Sequence, residues 1–482
     1  VAASWLPAQR AGRGGALALA LLVVVVGLGL VGLRHASARA LLLHYGRLTP
    51  TVVALGTDFL DRDGDGELPA WLGGGDCDDG DDTVGSARPE LPGNGVDDNC
   101  WAGDRDAEAE PSAPAVEAGP RPTIVIVTID TVRTDRLQLY GYDRPTMPVL
   151  SALGVRGLVF DRAYAAANHT FYAMTALFAG QATERMLQPV SGELPRMRYT
   201  RWLPQRLRDL GYHVVAISPP LVLDGKLAPQ DLHVDEIELG PFDGGGKNRG
   251  TMARQLTDSA IERIEGWKEQ RPLALWVHYM DPHAVHESPI EFTNRGLRDA
   301  YDTELSWVDM HLGRLFNAVF ERFGEDVLLV VTADHGESLG EDGDFGHGFT
   351  LYEREIRVPL LLSGPGVPTG HRAAPVSTLA LAPTVLALLG QPADPAYGLP
   401  SLVDGEPAPV VAENPAFLWN ELRMEAALVE ADTKIVWSRT TNTIQLFDLA
   451  ADPHERTNLA AAAPAERERM LAALRDALEA GH

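Results

Sequence analysis

Three apolar runs that each lead into an acid or a histidine constrain this chain most. Thr123-Ile124-Val125-Ile126-Val127-Thr128-Ile129 is a continuous β-branched stretch, and Asp130 follows it at once. Val327-Leu328-Leu329-Val330-Val331-Thr332 leads into Ala333-Asp334-His335-Gly336-Glu337. Leu273-Ala274-Leu275-Trp276-Val277-His278 leads into Asp281-Pro282-His283. Runs without polar alternation suit strands buried on both faces. His213-Val214-Val215-Ala216-Ile217 is a fourth run, and helical patterns at Met252 to Glu269 and Tyr301 to Arg322 lie between them. Alternating strands and helices predict the α/β class, with a mostly parallel central sheet flanked by helices. Such sheets bind ligands at the carboxyl ends of their strands. The Asp and His residues then share one edge, and a metal site built from them is the economical expectation.

The C-terminal part reads differently. Ala427-Leu428-Val429, Lys434-Ile435-Val436-Trp437 and Gln445-Leu446-Phe447 suit a small antiparallel sheet. A final helix is expected from about Pro464 to Ala480, with Met470, Leu471, Leu474 and Leu478 at helical spacing. The domain bounds follow as 122–411 for the main domain and 412–482 for the C-terminal subdomain.

The residues before Pro122 carry a separate story. Gly14 to Leu33 is uncharged and long enough to cross ~30 Å of hydrocarbon as a helix. A transmembrane anchor at 14–33 is the expectation, with a cleaved signal peptide as the alternative. The formal charge of the chain is −26, which argues against nucleic acid as a partner and suits cations. Asp58 to Glu110 holds 17 acidic and 3 basic residues, so about half of that charge sits in one short stretch. Within 57–103, Asp61, Asp63 and Asp65 alternate with other residues around glycines, and Asp76 and Asp78 follow. Alternating carboxylates around glycine turns suit calcium, which takes oxygen ligands. Cys77 and Cys100 are the chain's only cysteines, and both lie here. The pattern resembles the Asp/Cys-rich metal-binding repeat of bacterial surface proteins. A Cys77–Cys100 disulfide would close a loop of about 24 residues and stabilise it by roughly 3 kcal/mol. An acidic solvated linker with two free thiols is the alternative. Residues 104–121, rich in Ala, Glu and Pro, read as a linker.

From Pro122 to Leu459 the motifs accumulate. They are Ile129-Asp130-Thr131-Val132-Arg133-Thr134-Asp135-Arg136, Tyr140-Gly141-Tyr142, Pro145-Thr146-Met147-Pro148, His278-Tyr279-Met280-Asp281-Pro282-His283 and Tyr301-Asp302-Thr303-Glu304-Leu305. Thr332-Ala333-Asp334-His335-Gly336-Glu337-Ser338, Gly346-His347-Gly348, Leu351-Tyr352-Glu353 and Arg357-Val358-Pro359-Leu360 follow. Leu446-Phe447-Asp448-Leu449 and Asp452-Pro453-His454-Glu455-Arg456-Thr457-Asn458-Leu459 close the series. This sequence resembles the sulfatase family of the alkaline phosphatase superfamily. The resemblance implies one divalent metal held by Asp130, Asp334 and His335. It implies that His283 and His347 contact the ester oxygens or protonate the leaving group.

The nucleophile departs from the family pattern. Sulfatases carry Cys or Ser, the formylglycine precursor, ten residues before a glycine; counting back from Gly180 reaches Thr170. No Pro follows, and Met174 stands where Arg is expected. Thr131 replaces a usual second Asp, and His335 an often-seen Asn. The set Asp130, Thr170, Asp334, His335 is similar to the Asp/Glu–Thr–Asp–His site of the superfamily's phosphotransferases and phosphodiesterases. Thr170 is therefore expected both to bind the metal and to attack the ester. Zinc or manganese suits one imidazole with carboxylates at least as well as calcium.

The expected function is hydrolysis or transfer of a sulfate or phosphate ester by a membrane-anchored, exported protein. Its substrate would be a membrane lipid or an envelope or polysaccharide ester. A non-catalytic surface binding protein is the alternative. Four more readings concern single residues. His169 is read as a loop residue, with an acid acting from beside Thr170 as the alternative, and His278, at a position the family shares, as a residue that starts a turn and bonds to backbone. His286 and His311 are read as surface residues. Asp243-Gly244-Gly245-Gly246-Lys247 is read as a flexible connection.

Overall fold

The computed structural model describes residues 62–63, 69, 77–84 and 94–97, and most of 119–480. Within 119–480 it leaves out 183–186, 189–195, 198–201, 220–233, 240–251, 284–285, 287–296, 395, 404, 406–407, 415–424 and 439–441. The run at 14–33, Asp61, Asp65, Asp76, Cys100 and Asp243–Lys247 lie outside the described residues. Among the described residues no helix is long and apolar enough to cross a membrane. In the acidic unit the Arg62 N–H donates to Asp79 Oδ1 at 2.9 Å, joining the two aspartate-rich stretches. The Cys77 sulfur lies 3.6 Å from the Asp97 carbonyl oxygen.

The main sheet has eight strands. They are β1 (Thr123–Ile129), β2 (Leu158–Phe160), β3 (His213–Ser218), β4 (Glu236–Leu239), β5 (Leu273–Tyr279), β6 (Val327–Ala333), β7 (Leu360–Ser363) and β8 (Gly370–Arg372). Their order across the sheet is β8-β2-β7-β6-β1-β5-β3-β4. Only β7 runs antiparallel to its neighbours, so the sheet is mostly parallel as expected. Every residue of β1, β5 and β6 is buried, which is why these strands carry no polar alternation. The helices are α1 (Pro148–Arg156), α2 (Thr170–Ala179), α3 (Leu203–Asp209), α4 (Met252–Glu265), α5 (Leu297–Phe323), α6 (Glu353–Ile356), α7 (Leu381–Leu388) and α8 (Pro464–Ala480).

Register brings the site together. Ile129 pairs with Tyr279 of β5 on one side and with Ala333 of β6 on the other. The three central strands therefore end level, and Asp130 and Asp334 emerge side by side. The Asp130 N–H extends the ladder by one bond, to the Tyr279 carbonyl at 2.8 Å.

The C-terminal sheet is antiparallel, in the order β9 (Val410–Asn414), β10 (Glu425–Glu430), β11 (Thr433–Ser438), β12 (Thr443–Asp448). Its first strand starts at Val410, two residues before the expected boundary. One face packs on Tyr164, Leu351 and Ile356, and the other on Met470, Leu471 and Leu474 of α8. Lys434 pins this sheet to the main domain. It is fully buried, 3.1 Å from Glu353 Oε1 and 2.8 Å from Glu455 Oε1. Removing one member of a buried ionic group leaves charge uncompensated. Lys434→Met is expected to cost about 3–5 kcal/mol in a urea unfolding measurement. A cost within the range of surface substitutions would show that the triad does not hold the sheet.

Candidate active site

Asp130 is fully buried, and neither carboxylate oxygen has a hydrogen-bond partner. Asp334 uses only Oδ1, which accepts from the N–H of Thr131 at 3.2 Å and of His335 at 2.7 Å; its buried Oδ2 has no partner. His335 is oriented by its Nδ1, which donates to the Gly336 carbonyl at 2.9 Å. That bond fixes the tautomer and turns the Nε2 lone pair toward the carboxylates. Nε2 lies 3.5 Å from Asp334 Oδ2 and 3.7 Å from Asp130 Oδ1. One donor atom from each of the three residues falls within 4.8 Å of the others. Burial pushes the Asp130 carboxyl well above its usual range, and Asp334 and Glu337 push it further. Orphaned buried carboxylate oxygens are costly without a partner. The donor set and its orphaned atoms fit a divalent cation.

The chain around Asp130 is strained to present it. Thr131 has φ +59°, a left-handed conformation that is unfavourable for a β-branched residue. Tyr301 holds it in place: its hydroxyl donates to the Thr131 carbonyl at 2.7 Å and accepts the Arg133 N–H at 2.9 Å. The buried Thr131 Oγ1 has no partner. Arg133 pairs with Asp135 at 2.8 Å and Glu341 at 3.0 Å. A cavity of about 490 Å³ lies beside Arg133, and Arg354 and Arg357 also line it. Arg354 and Arg357 face Asp344 and Glu353, so these three arginines are each matched by a carboxylate.

Thr170 joins the cluster from a different element. It is the first residue of α2, and its Oγ1 lies 3.1 Å from His335 Nε2. The helix ends at Gly180, which has φ +60° and would place a Cβ 2.5 Å from the Tyr397 ring. That ending fixes the helix's length, and its start carries Thr170. Unpaired N–H groups of a first helical turn favour negative charge nearby. Met174 is buried inside α2.

Two more histidines complete the group. His283 Nε2 lies 3.0 Å from His347 Nε2, so one nitrogen of the pair carries the shared proton and the other accepts it. The His347 ring lies 4.3 Å from His335 and 5.5 Å from His169, centroid to centroid. Burial keeps His347 well below its usual pKa, and the neighbouring imidazoles add to this. The structure thus brings together Asp130, Thr170, Asp334, His335, His283 and His347. Of the acidic unit's five candidates it describes only Asp63 and Asp78. His169 lies in the loop that enters α2, as expected, and that loop borders the site.

Three histidine readings need correction. His278 is not a turn residue: it lies inside β5, wholly buried, and its Nδ1 meets Thr128 Oγ1 at 2.7 Å. Trp276 Nε1 donates to the same oxygen at 2.9 Å. The His278 Nε2 points toward Asp130 Oδ2, 4.0 Å away, and burial lowers its pKa to about 4. His286 is not on the surface. It lies 2.6 Å from Glu304 Oε2 and 3.2 Å from Glu337 Oε2. Burial opposes its charge, but the two carboxylates win and push its pKa to about 9. His311 is also buried, against Trp307 with ring centroids 4.5 Å apart. A lone polar residue in a helix or loop gives no sequence signal for such packing. The contacts of Tyr301 and Glu304 are likewise invisible without the fold.

Comparison with known proteins agrees with this geometry. The family profile described as Sulfatase matches residues 122–391. Choline-sulfatase of Rhizobium meliloti (strain 1021) is 34% identical over 175 residues, 34% of this chain and 33% of that protein. Arylsulfatase K of Gallus gallus is 29% identical over 46% of this chain and 45% of its own length. The chain thus spans a third to under half of these curated relatives. The crystal structure of phosphonate monoester hydrolase of Agrobacterium radiobacter matches in fold with a TM-score of 0.59. It is 18% identical, and the match covers 74% of this chain and 96% of that one. With more than half of its length matched to the family and the strand-end site in place, the chain belongs to the sulfatase family.

Proposed function

We propose that this protein is a metal-dependent hydrolase or transferase of sulfate or phosphate esters that uses Thr170 as nucleophile. The observation that carries this reading is the placement of Thr170 Oγ1, 3.1 Å from His335 Nε2 and beside the orphaned carboxylates. Asp130, Asp334 and His335 would hold a divalent ion, which supplies positive charge that stabilises a deprotonated hydroxyl beside it. Thr170 offers the reacting oxygen; because His335 Nε2 would give its lone pair to the ion, the hydroxyl proton leaves to water before attack. The start of α2 adds its N–H groups to favour negative charge at that oxygen. Attack forms a bond from Oγ1 to sulfur or phosphorus and breaks the bond to the ester oxygen. The His283–His347 pair, entering the reaction with one proton more than two neutral imidazoles hold, gives a proton to the departing ester oxygen, so that the alcohol leaves neutral and both rings end neutral. Water or a second alcohol then takes the group from Thr170. The kinship to a choline-sulfatase and an arylsulfatase supports a sulfate ester, and a threonine nucleophile supports a phosphate ester.

The reading extends to location on sequence grounds alone. The 14–33 run would anchor the protein with its main domain outside the cytoplasm. The 57–103 unit would bind calcium, with Cys77 paired to Cys100. A lipid, envelope or polysaccharide ester would be the substrate.

One observation favours a second reading, a non-catalytic surface binding protein. Met174 is apolar and buried where the family pattern expects Arg. Turnover decides between them. The purified chain, supplied with zinc, manganese or calcium, should hydrolyse a nitrophenyl sulfate, phosphate monoester or phosphate diester. No turnover of any of them with the ion bound supports the binding protein. In the enzyme, His347→Gln should slow esters with poor leaving groups about a hundredfold and nitrophenyl esters far less. Equal losses on both would remove His347 from the proton transfer.

A further inference from the structure

Glu355 lies in α6, outside every group assigned above. Its side chain is fully buried, yet five donors converge on its two oxygens. Oε1 accepts from the hydroxyls of Ser338 at 2.8 Å and Thr350 at 3.1 Å. Oε2 accepts from the backbone N–H of Phe349 and of Thr350, and from Asn168 Nδ2, each at 3.2 Å. These donors belong to three chain segments, and each segment carries one residue of the site. Asn168 stands two positions before Thr170. Ser338 stands three after His335. Phe349 and Thr350 stand two and three after His347.

Two further bonds tighten the arrangement. Asn168 Nδ2 also donates to the Thr350 carbonyl at 2.8 Å, which ties the first segment to the third. The Glu355 carbonyl accepts the Gly336 N–H at 2.8 Å, one residue from His335. That approach requires glycine, because a Cβ on Gly336 would sit 2.2 Å from the Arg354 carbonyl oxygen. An ionised carboxylate is the one side chain that only accepts, on two oxygens at once. Five donors aimed at one point suit it and no neutral residue of the same size.

We infer that Glu355 is a positioning residue for the reaction: its carboxylate sets the spacing of Thr170, His335 and His347 by holding the segment that carries each. The inference rests on the reading of those three residues as the reacting centre. Glu355→Gln keeps the volume but turns an NH₂ group toward donors. To accept it, the Ser338 and Thr350 hydroxyls have to turn their protons away from residue 355, and Ser338 Oγ then takes this donor beside Arg354 Nε, already 2.8 Å away. The two hydroxyl protons lose their acceptor and the hold on the segments loosens; a misplacement near 1 Å can cost about a hundredfold in rate.

Glu355→Gln is expected to lower kcat about 10- to 100-fold with KM within about threefold of wild type. The loss should be larger for an alkyl ester than for a nitrophenyl ester, because only the former needs the proton that His347 helps to place. Hydrogen exchange of the peptide spanning Phe349 and Thr350 should quicken, while exchange across β1 stays unchanged. Wild-type kcat together with unchanged exchange at Phe349 and Thr350 overturns the inference. So does an equal loss on both esters, which reports a general structural role. Where the wild-type protein itself turns over no ester, the reading of the centre has failed. The exchange measurement then still decides whether Glu355 holds these segments.

Discussion

Thr170→Ala lowers ester turnover about a thousandfold or more, because it removes the oxygen that forms the covalent bond. The effect is large because the site offers few substitutes. Both cysteines lie in the acidic stretch, far from Asp130 in the sequence. Among the described residues Thr131 also carries a hydroxyl next to the cluster, and its Oγ1 is buried and without a partner. Thr131→Val is therefore the control: it should keep measurable turnover, whereas loss of activity there and retention in Thr170→Ala would exchange the two roles. Thr170→Ser keeps the oxygen and loses only a methyl group, so it should retain activity. The melting temperature of Thr170→Ala should stay within a few degrees of wild type, since one partly buried hydroxyl contributes about 1 kcal/mol.

Chelation has the second large effect, on activity and on stability together. Removing the ion should abolish turnover and lower the melting temperature. An ion at a hundred times its Kd stabilises the native state by about 2.7 kcal/mol. Asp130→Asn should lose most of that response. Metal-free, the variant should be more stable than metal-free wild type, because it removes one of two adjacent buried carboxylates. The pH dependence follows in sign. Burial, Asp334 and Glu337 raise the Asp130 pKa in the folded chain, so the folded state holds a proton that the unfolded state has released. Stability of the metal-free protein from this group is present below pH ~4. It is lost as pH rises from there through the raised folded pKa. Saturating metal should reverse that trend. Thermal melts across pH, with and without ion, check both signs; a metal-free protein that gains stability from this region of pH would contradict the raised pKa.

Much of the fold was legible because β1, β5 and β6 are buried on both faces. Their apolar runs match the strands to within one residue, since nothing at those positions can be polar except at the ends. The same logic exposed Asp130, Asp334 and His335, where a buried run meets a charge. Level strand ends were implied by the class of sheet, but the register of Ile129 with Tyr279 and Ala333 had to be seen. Thr170 was found by counting within a resemblance, not by its own signal; its place at the start of α2 came from the fold.

What the sequence hid were residues that act through long-range contacts. His286 reads as a surface histidine, yet Glu304 and Glu337 enclose it from positions 18 and 51 residues away. Tyr301 reads as a helix residue, yet its hydroxyl supports the strained Thr131 across 170 residues. Glu355 looks like a charge near an apolar run, and only folding shows its donors arriving from both sides of the site. The acidic stretch is the reverse case. Its composition is conspicuous, but only Asp63 and Asp78 of its proposed ligands fall among the described residues.

The most direct test of the account is the mass of a trapped intermediate. The metal-loaded protein is mixed with excess nitrophenyl sulfate or phosphate ester, quenched in acid and digested for peptide mass analysis. The account predicts one sulfuryl or phosphoryl group on Thr170, absent from Thr170→Ala. Turnover with the group on another residue, or with no covalent adduct at any quench time, would contradict it.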